Sequence, residues 1–367
     1  DIPSKNELSI GVSFGFNTQS VFKDFTSNER GNTEFLGFNN ERKLPAAYPR
    51  KYLDYASLKK KKKVAVSKSF NNKSYNEVNS TATPVQQYNL TWSNVKRFKN
   101  GGAFGSIIGL TYRNSKLIYD ATKTLFEKGA NSQYFFDYND RQNKYSVNAG
   151  GIVNLAWTYK KHKIAFKNLF NQLLEDNYYT RTGINTENLQ DVLLRSSVLN
   201  QRSLYSAQLE GTHDLSSKGI KLNWNLNYAL NNKTQPDLRV QTYGKSIGVN
   251  EPYRINLRGI NTNRFFSELQ DKSYGYNASL SVPFQLGSHK QLLKLGGAGT
   301  VRLRDFKAFI FGYSEPTDAT LNTLPYNEIF SEANIREGGY LINTDLQNPY
   351  DKYYGVSALS AGYIMLD

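Results

Sequence analysis

The segment Ile220-Lys221-Leu222-Asn223-Trp224-Asn225-Leu226-Asn227-Tyr228 alternates apolar and polar side chains without a break. Successive side chains of an extended strand point to opposite faces, so this stretch predicts a strand with one apolar and one polar face. The same period of two marks ten segments: 7–22, 86–98, 103–119, 143–159, 163–181, 200–213, 220–231, 264–284, about 290–313 and about 350–367. Leu8, Ile10, Val12 and Phe14 line one face of the first, and Tyr274, Tyr276, Ala278 and Leu280 that of the eighth. In the fourth, Tyr145, Val147, Ala149, Gly151, Val153, Leu155 and Trp157 form one continuous apolar face. At about 3.3 Å per residue and a tilt of about 40 to 45°, Tyr145 to Trp157 spans roughly 28 to 30 Å, close to a bilayer's apolar thickness.

The links between these segments alternate between long and short along the whole chain. Long links occupy 23–85, 120–142, 183–199, 236–263 and 314–349; short ones occupy 99–102, 160–162, 214–218 and 285–289. That is the pattern of an antiparallel transmembrane β-barrel, whose long loops face outside and whose short turns face the periplasm. The fold class expected is therefore all-β: about ten long meander strands of a larger barrel, not closed within this chain. The first strand then climbs outward and the tenth descends. Residues 1–367 read as one partial outer-membrane barrel domain, a piece or ordered part of a longer protein.

Composition supports strands over helices. Mean hydropathy is −0.59, and no apolar run approaches the roughly 20 residues of a spanning helix. A barrel needs only alternate residues to face lipid. Aromatic residues make up 14% of the chain, with 26 Tyr and 21 Phe, enough for interfacial girdles. With no cysteine, disulfides and thiol chemistry are excluded.

The formal charge of +15 raises nucleic acid as a partner, but the dense run Lys59-Lys60-Lys61-Lys62-Lys63 has no interleaved aromatics to stack bases. It reads as a solvated loop, and attraction to lipopolysaccharide phosphates follows from charge alone. His162, His213 and His289 sit beside short turns without metal-ligand spacing. The first two are close enough to meet, yet read as solvated turn residues. No serine stands in a strand-to-helix elbow, and no helix is evident. The chain is not expected to be an enzyme or to hold a metal or cofactor.

Asn223, Asn225 and Asn227, Asn277, Ser279 and Ser281, and Lys294, Arg302 and Arg304 fall opposite the apolar stripe and would line a lumen. Gly150, Gly296 and Gly362 suit a wall that leaves room for something inside. Near the outward ends, Tyr178, Tyr179, Arg181, Arg254, Arg264, Phe265 and Phe266 are the candidates for ligand capture, because a ligand from outside meets the loops first.

Asp1-Ile2-Pro3 leading into Leu8-Ser9-Ile10-Gly11, the phrase Glu34-Phe35-Leu36-Gly37-Phe38-Asn39 ahead of Leu44-Pro45, Phe166-Lys167-Asn168-Leu169-Phe170-Asn171 and Tyr363-Ile364-Met365-Leu366-Asp367 resemble the barrel of a TonB-dependent outer-membrane receptor. The resemblance covers essentially the whole chain. It implies a barrel of about 22 strands around a plug, of which this chain supplies the first ten. It also implies energy-coupled uptake of an external nutrient across the bacterial outer membrane. The partners implied are outer-membrane lipid and lipopolysaccharide, the plug and TonB of the full-length protein, an unidentified nutrient, and a surface lipoprotein. The rival reading is a non-transporting outer-membrane surface protein, an adhesin or structural barrel.

Overall fold

Strand pairing, and hardly any helix packing, organises the chain. The computed structural model describes residues 2–49, 51–72, 76–126 and 134–367. In chain order the elements are β1 (Glu7–Gly15), β2 (Asp24–Asn28), α1 (Tyr52–Ala56), α2 (Lys60–Ser69), β3 (Glu77–Thr81), β4 (Val85–Arg97), β5 (Gly102–Phe126), β6 (Tyr134–Tyr159) and β7 (His162–Asn185). They continue with β8 (Gln190–Asp214), β9 (Lys221–Ser246), β10 (Arg254–Ile255), β11 (Asn263–Leu286), β12 (His289–Tyr313), β13 (Ile342–Asn343) and β14 (Lys352–Leu366).

All ten expected strands are present, as β1, β4 to β9, β11, β12 and β14, and each pairs antiparallel with the next in one sheet. The short β10 and β13 add to β9 and β12, and β2 with β3 forms a separate two-stranded sheet. The chain is thus all-β with a large antiparallel meander. β1 and β14 do not pair with each other, so the sheet does not close on itself.

Several boundaries depart from expectation. β1 stops at Gly15, short of residue 22, and Phe22 adopts a left-handed φ of 65° in the turn that follows. β5 to β9 run well beyond their expected ends: β5 reaches Phe126 and β6 begins at Tyr134, leaving only 127–133 between them, while 186–189 alone join β7 to β8. The strict long-short alternation of links therefore fails at these two places. The backbone ladder continues there although the apolar-polar contrast has faded, and contrast was the signal that the pattern carried. Helices are present too, and α2 begins inside the lysine run rather than leaving it as loop. Lysines in its first turn oppose the helix dipole, so the helix is held by packing instead, through buried Val66 and the buried Ser67 hydroxyl, which accepts from the Ile342 N–H at 3.0 Å.

Residues opposite each other in an antiparallel ladder point to the same side, so the register carries each face across the sheet. One row reads Ile10, Leu90, Leu110, Gly151, Phe170, Tyr205, Leu230, Lys272, Leu303 and Val356. Apart from Lys272, its members belong to an uncovered apolar belt: Ile10 is 68% exposed, Leu110 54% and Val356 62%. Leu222, Trp224 and Leu226 lie on this face as expected and, among the described residues, face no second sheet. The opposite face carries Asn223 with Ser279, Asn225 with Asn277, and Arg304 with Asp271, the expected polar side.

The belt is shorter than the fourth segment predicted. Tyr145 and Val147 stand on the same face as Val153 and Trp157, yet they are buried with Phe25 of β2, Ala82, Ile118, Leu174 and Leu199. The two-stranded β2–β3 sheet covers them, so the height drawn from Tyr145 to Trp157 overstates the bare surface. Two of the three glycines expected to leave room inside the wall do not. Gly362 pairs with Gly297 on the apolar side, and the space over Gly296 is filled by the Tyr363 ring, 2.5 Å from where a Cβ would lie.

Candidate functional site

The connections 16–84, 247–262 and 314–351 fold back on the upper part of the apolar face, above the belt. Tyr48, Tyr55, Val66 and Phe70 from the first, Ile255 and Leu257 from the second, and Ile329, Phe330, Tyr340 and Ile342 from the third share one core with Phe266, Phe309 and Phe311 of the sheet. Rings meet edge to face, with Tyr48 and Phe311 at 4.9 Å and Phe70 and Phe311 at 5.2 Å. Apolar side chains that would be bare are thereby removed from water.

Charge is buried in the same layer. Asp237 accepts from Arg264 Nε at 2.7 Å and from Arg239 Nε at 2.8 Å, and all three are almost fully buried. Arg264 also donates to Asn72 Oδ1 at 2.7 Å and to the Asn71 carbonyl at 3.0 Å, and its guanidinium lies 5.0 Å from the Phe70 ring centre. Burial opposes ionisation of Asp237, but Arg239 and Arg264 overcome it and hold the carboxyl below its ordinary range. Further along, Arg42 pairs with Asp176 at 3.5 Å and donates to Ser197 Oγ at 3.1 Å. Burial, then Asp176, pushes the neighbouring Glu34 carboxyl up.

The seven candidate residues divide among several places. Arg264 and Phe266 share the apolar face, buried in the cluster just described. Phe265, half-buried, points to the opposite face between Leu238 and Ile310. Tyr178 is buried on the apolar side with its hydroxyl bonded to Glu77, which also pairs with Arg195 at 2.8 Å. Arg254 is exposed on β10, opposite Gly244.

Tyr179 and Arg181 turn to the polar face and form a second cluster. Arg181 grips Asp140 through Nε at 2.7 Å and a terminal nitrogen at 2.9 Å, donates to the Tyr179 hydroxyl at 2.8 Å, and lies 4.5 Å from the Tyr138 ring centre. Lys123 adds a second cation 3.1 Å from Asp140, and Phe136 stacks on Tyr138 at 4.7 Å. Burial acts to raise the Asp140 carboxyl, and hydrogen bonds from Arg181, Tyr179 and Lys123 override it, holding it at about 2. The arrangement offers aromatic faces and fixed charges to a polar ligand.

Asp140, Tyr138, Asp237, Arg239 and Arg42 escaped the sequence reading. Asp237, with a left-handed φ of 55°, stands at a break in the β9 register, so alternation did not place it beside Arg239, and nothing local announced Arg264 as their partner. His162 and His213, read as solvated, are half-buried and paired: their Nδ1 atoms lie 3.2 Å apart, and His213 Nε2 accepts the Trp224 indole N–H at 2.9 Å. Compared with family models, with curated proteins and with solved structures, the chain matches none.

Proposed function

We propose that this chain is part of the wall and outer loops of a bacterial outer-membrane β-barrel that takes up an external nutrient in the manner of a TonB-dependent receptor. The observation that carries the barrel reading is the uncovered apolar belt across ten neighbouring strands, backed by a face of asparagine, serine and paired charges. An apolar surface that wide is unfavourable in water, and acyl chains are the cover that asks no hydrogen bonds of it. Open edges at β1 and β14 suit a wall that further strands complete, since an isolated sheet with bare edges invites aggregation. The segment before β1 approaches over the polar face, with Ile2 and Pro3 against Gly105, as a chain arriving from inside a barrel would. Uptake driven through TonB rests on the resemblance in the sequence phrases. The Tyr138, Tyr179, Arg181 and Asp140 cluster on the lumenal side is the place proposed for first ligand contact.

The chain has no cysteine, which makes single-cysteine probes direct. In the full-length protein in native membranes, L226C and L110C should resist a water-borne maleimide that labels N225C and S279C; equal labelling of both sets refutes the barrel. Nutrient uptake that stops when TonB is removed supports transport. Surface binding without TonB-dependent uptake favours the adhesin or structural barrel.

A further inference from the structure

The phrase from Glu34 to Asn39 crosses the sheet on the apolar face, along the upper border of the belt. Tyr112 of β5 donates its hydroxyl hydrogen to the Phe35 carbonyl at 2.8 Å, and Gln172 of β7 donates to the Gly37 carbonyl at 2.6 Å. Tyr112, Ala149 and Gln172 form one register row. Gln201 of β8 then exchanges two hydrogen bonds with the Asn39 backbone, at 2.7 and 3.0 Å. Gly37 makes the close approach possible: its φ is 88°, and a Cβ there would fall 2.9 Å from Gln172 Cγ.

The row immediately below contains Leu110, Gly151 and Phe170, with Leu110 54% and Phe170 42% exposed. Two residues of tilted strand separate the rows, about 5 Å of height. A shallow apolar hollow of about 500 Å³ opens there over Gly151, walled by Leu110, Val153, Phe170 and Tyr205. Bonded to the sheet through its backbone, the phrase leaves its large side chains free: Phe35 is 56% exposed, Leu36 47% and Phe38 40%. Spending backbone hydrogen bonds to hold a turn while three adjacent apolar side chains stay uncovered has no rationale in water.

We infer that Phe35, Leu36 and Phe38 form a lipid-facing anchor: the first long connection lies along the outer side of the wall and sets these side chains at the boundary between headgroups and acyl chains of the outer leaflet. This rests on the membrane reading above. The occupant follows from continuity, since the three side chains extend the belt upward by one row, and aromatic residues are favoured at that depth. Tyr112, below the phrase, has its hydroxyl already used on the Phe35 carbonyl, as an interfacial residue with one apolar and one polar end does. The connection thus acts as a collar that fixes the height of the wall in the bilayer.

The test uses the full-length protein in phosphatidylcholine vesicles with brominated acyl chains and an environment-sensitive fluorophore on single cysteines. F35C, L36C and F38C should lose emission to the brominated lipid to nearly the extent of the belt positions L110C and L226C. I260C and Y350C, on other connections and 84% and 89% exposed, should instead be quenched by aqueous iodide. Because the three anchor side chains are exposed, each labelled variant keeps its packing, and the three give independent readings. Quenching at L110C and L226C with none at the three anchor positions refutes the anchor and leaves the membrane reading standing. No quenching at L110C and L226C overturns the membrane reading and the anchor together.

Discussion

The indole of Trp224 lies across Gly211 of the neighbouring strand, so close that a Cβ on that glycine would stand 2.3 Å from the ring. The bare glycine lets the ring lie flat against the sheet and reach His213, whose Nε2 accepts its N–H. That bond assigns the remaining proton of a neutral His213 to Nδ1, which donates to His162. Tyr276 over Gly299 repeats the same device on the same face. The Gly211→Val variant should displace the indole, shift its fluorescence emission and cost about 1 to 3 kcal/mol, the range for forcing volume into a filled site. Denaturant unfolding beside emission spectra checks this; an unchanged spectrum and midpoint would show the ring to be loosely held.

Asp237 is shared by two buried guanidinium groups, and Arg264 in turn holds the backbone at Asn71. Removing one member of a buried charged set costs about 3 to 5 kcal/mol, because the remaining charges lose their compensation. Asp237→Ala should therefore release the first long connection from the sheet before the strands separate. Limited proteolysis reads this directly: new cleavage within 51–72 is expected while β11 and β12 stay intact. A cleavage pattern identical to the parent protein would assign the cluster no anchoring role.

At the upper polar face the Asp140 carboxyl is held at about 2, below its ordinary 3.8. A carboxylate depressed on folding contributes stability that is fully present above its unfolded value and is lost as pH falls through its folded value. The open end of the β6–β7 pair should thus keep its amide protection from neutral pH to about 4 and lose it between about 4 and about 2. Asp140→Asn removes that acid-sensitive component. Hydrogen exchange on both proteins across the range would test it, and identical acid profiles would reject the assignment.

Gly37 combines a left-handed φ with contact to Gln172. Gly37→Ala should cost about 1 to 2 kcal/mol from the backbone alone, with the close contact added. The expected result is faster amide exchange at 34–39 and no change in β9 or β11. Protection equal to that of the parent would mean the segment finds another seat.

Much of the fold was legible because alternation is a local property. The run from Leu222 to Tyr228 carries its two faces in its own letters, and cross-strand partners such as Leu226 and Tyr276 simply agree with it. The strand extensions were not legible. At the upper end of β6, Asp137 to Asn143 offers no apolar-polar contrast, although its ladder to β7 continues through Asp140 and Arg181. The candidate residues show the same limit: Tyr178 and Tyr179 are adjacent in sequence and go to opposite faces with different partners.

The sequence by itself determined the strands, their order as a meander and the identity of the two faces, because a period of two requires only that the chain be extended. Tertiary structure decided where the apolar face is bare and where it is covered. Val147 and Val153 are the same residue type on the same face of one strand, one fully buried and the other 42% exposed. What separates them is a two-stranded ribbon from a remote connection, tied to the sheet by contacts such as Arg141 to the Asp24 carbonyl, 117 residues apart. Cover is a property of which surfaces meet in space, and no local periodicity encodes it.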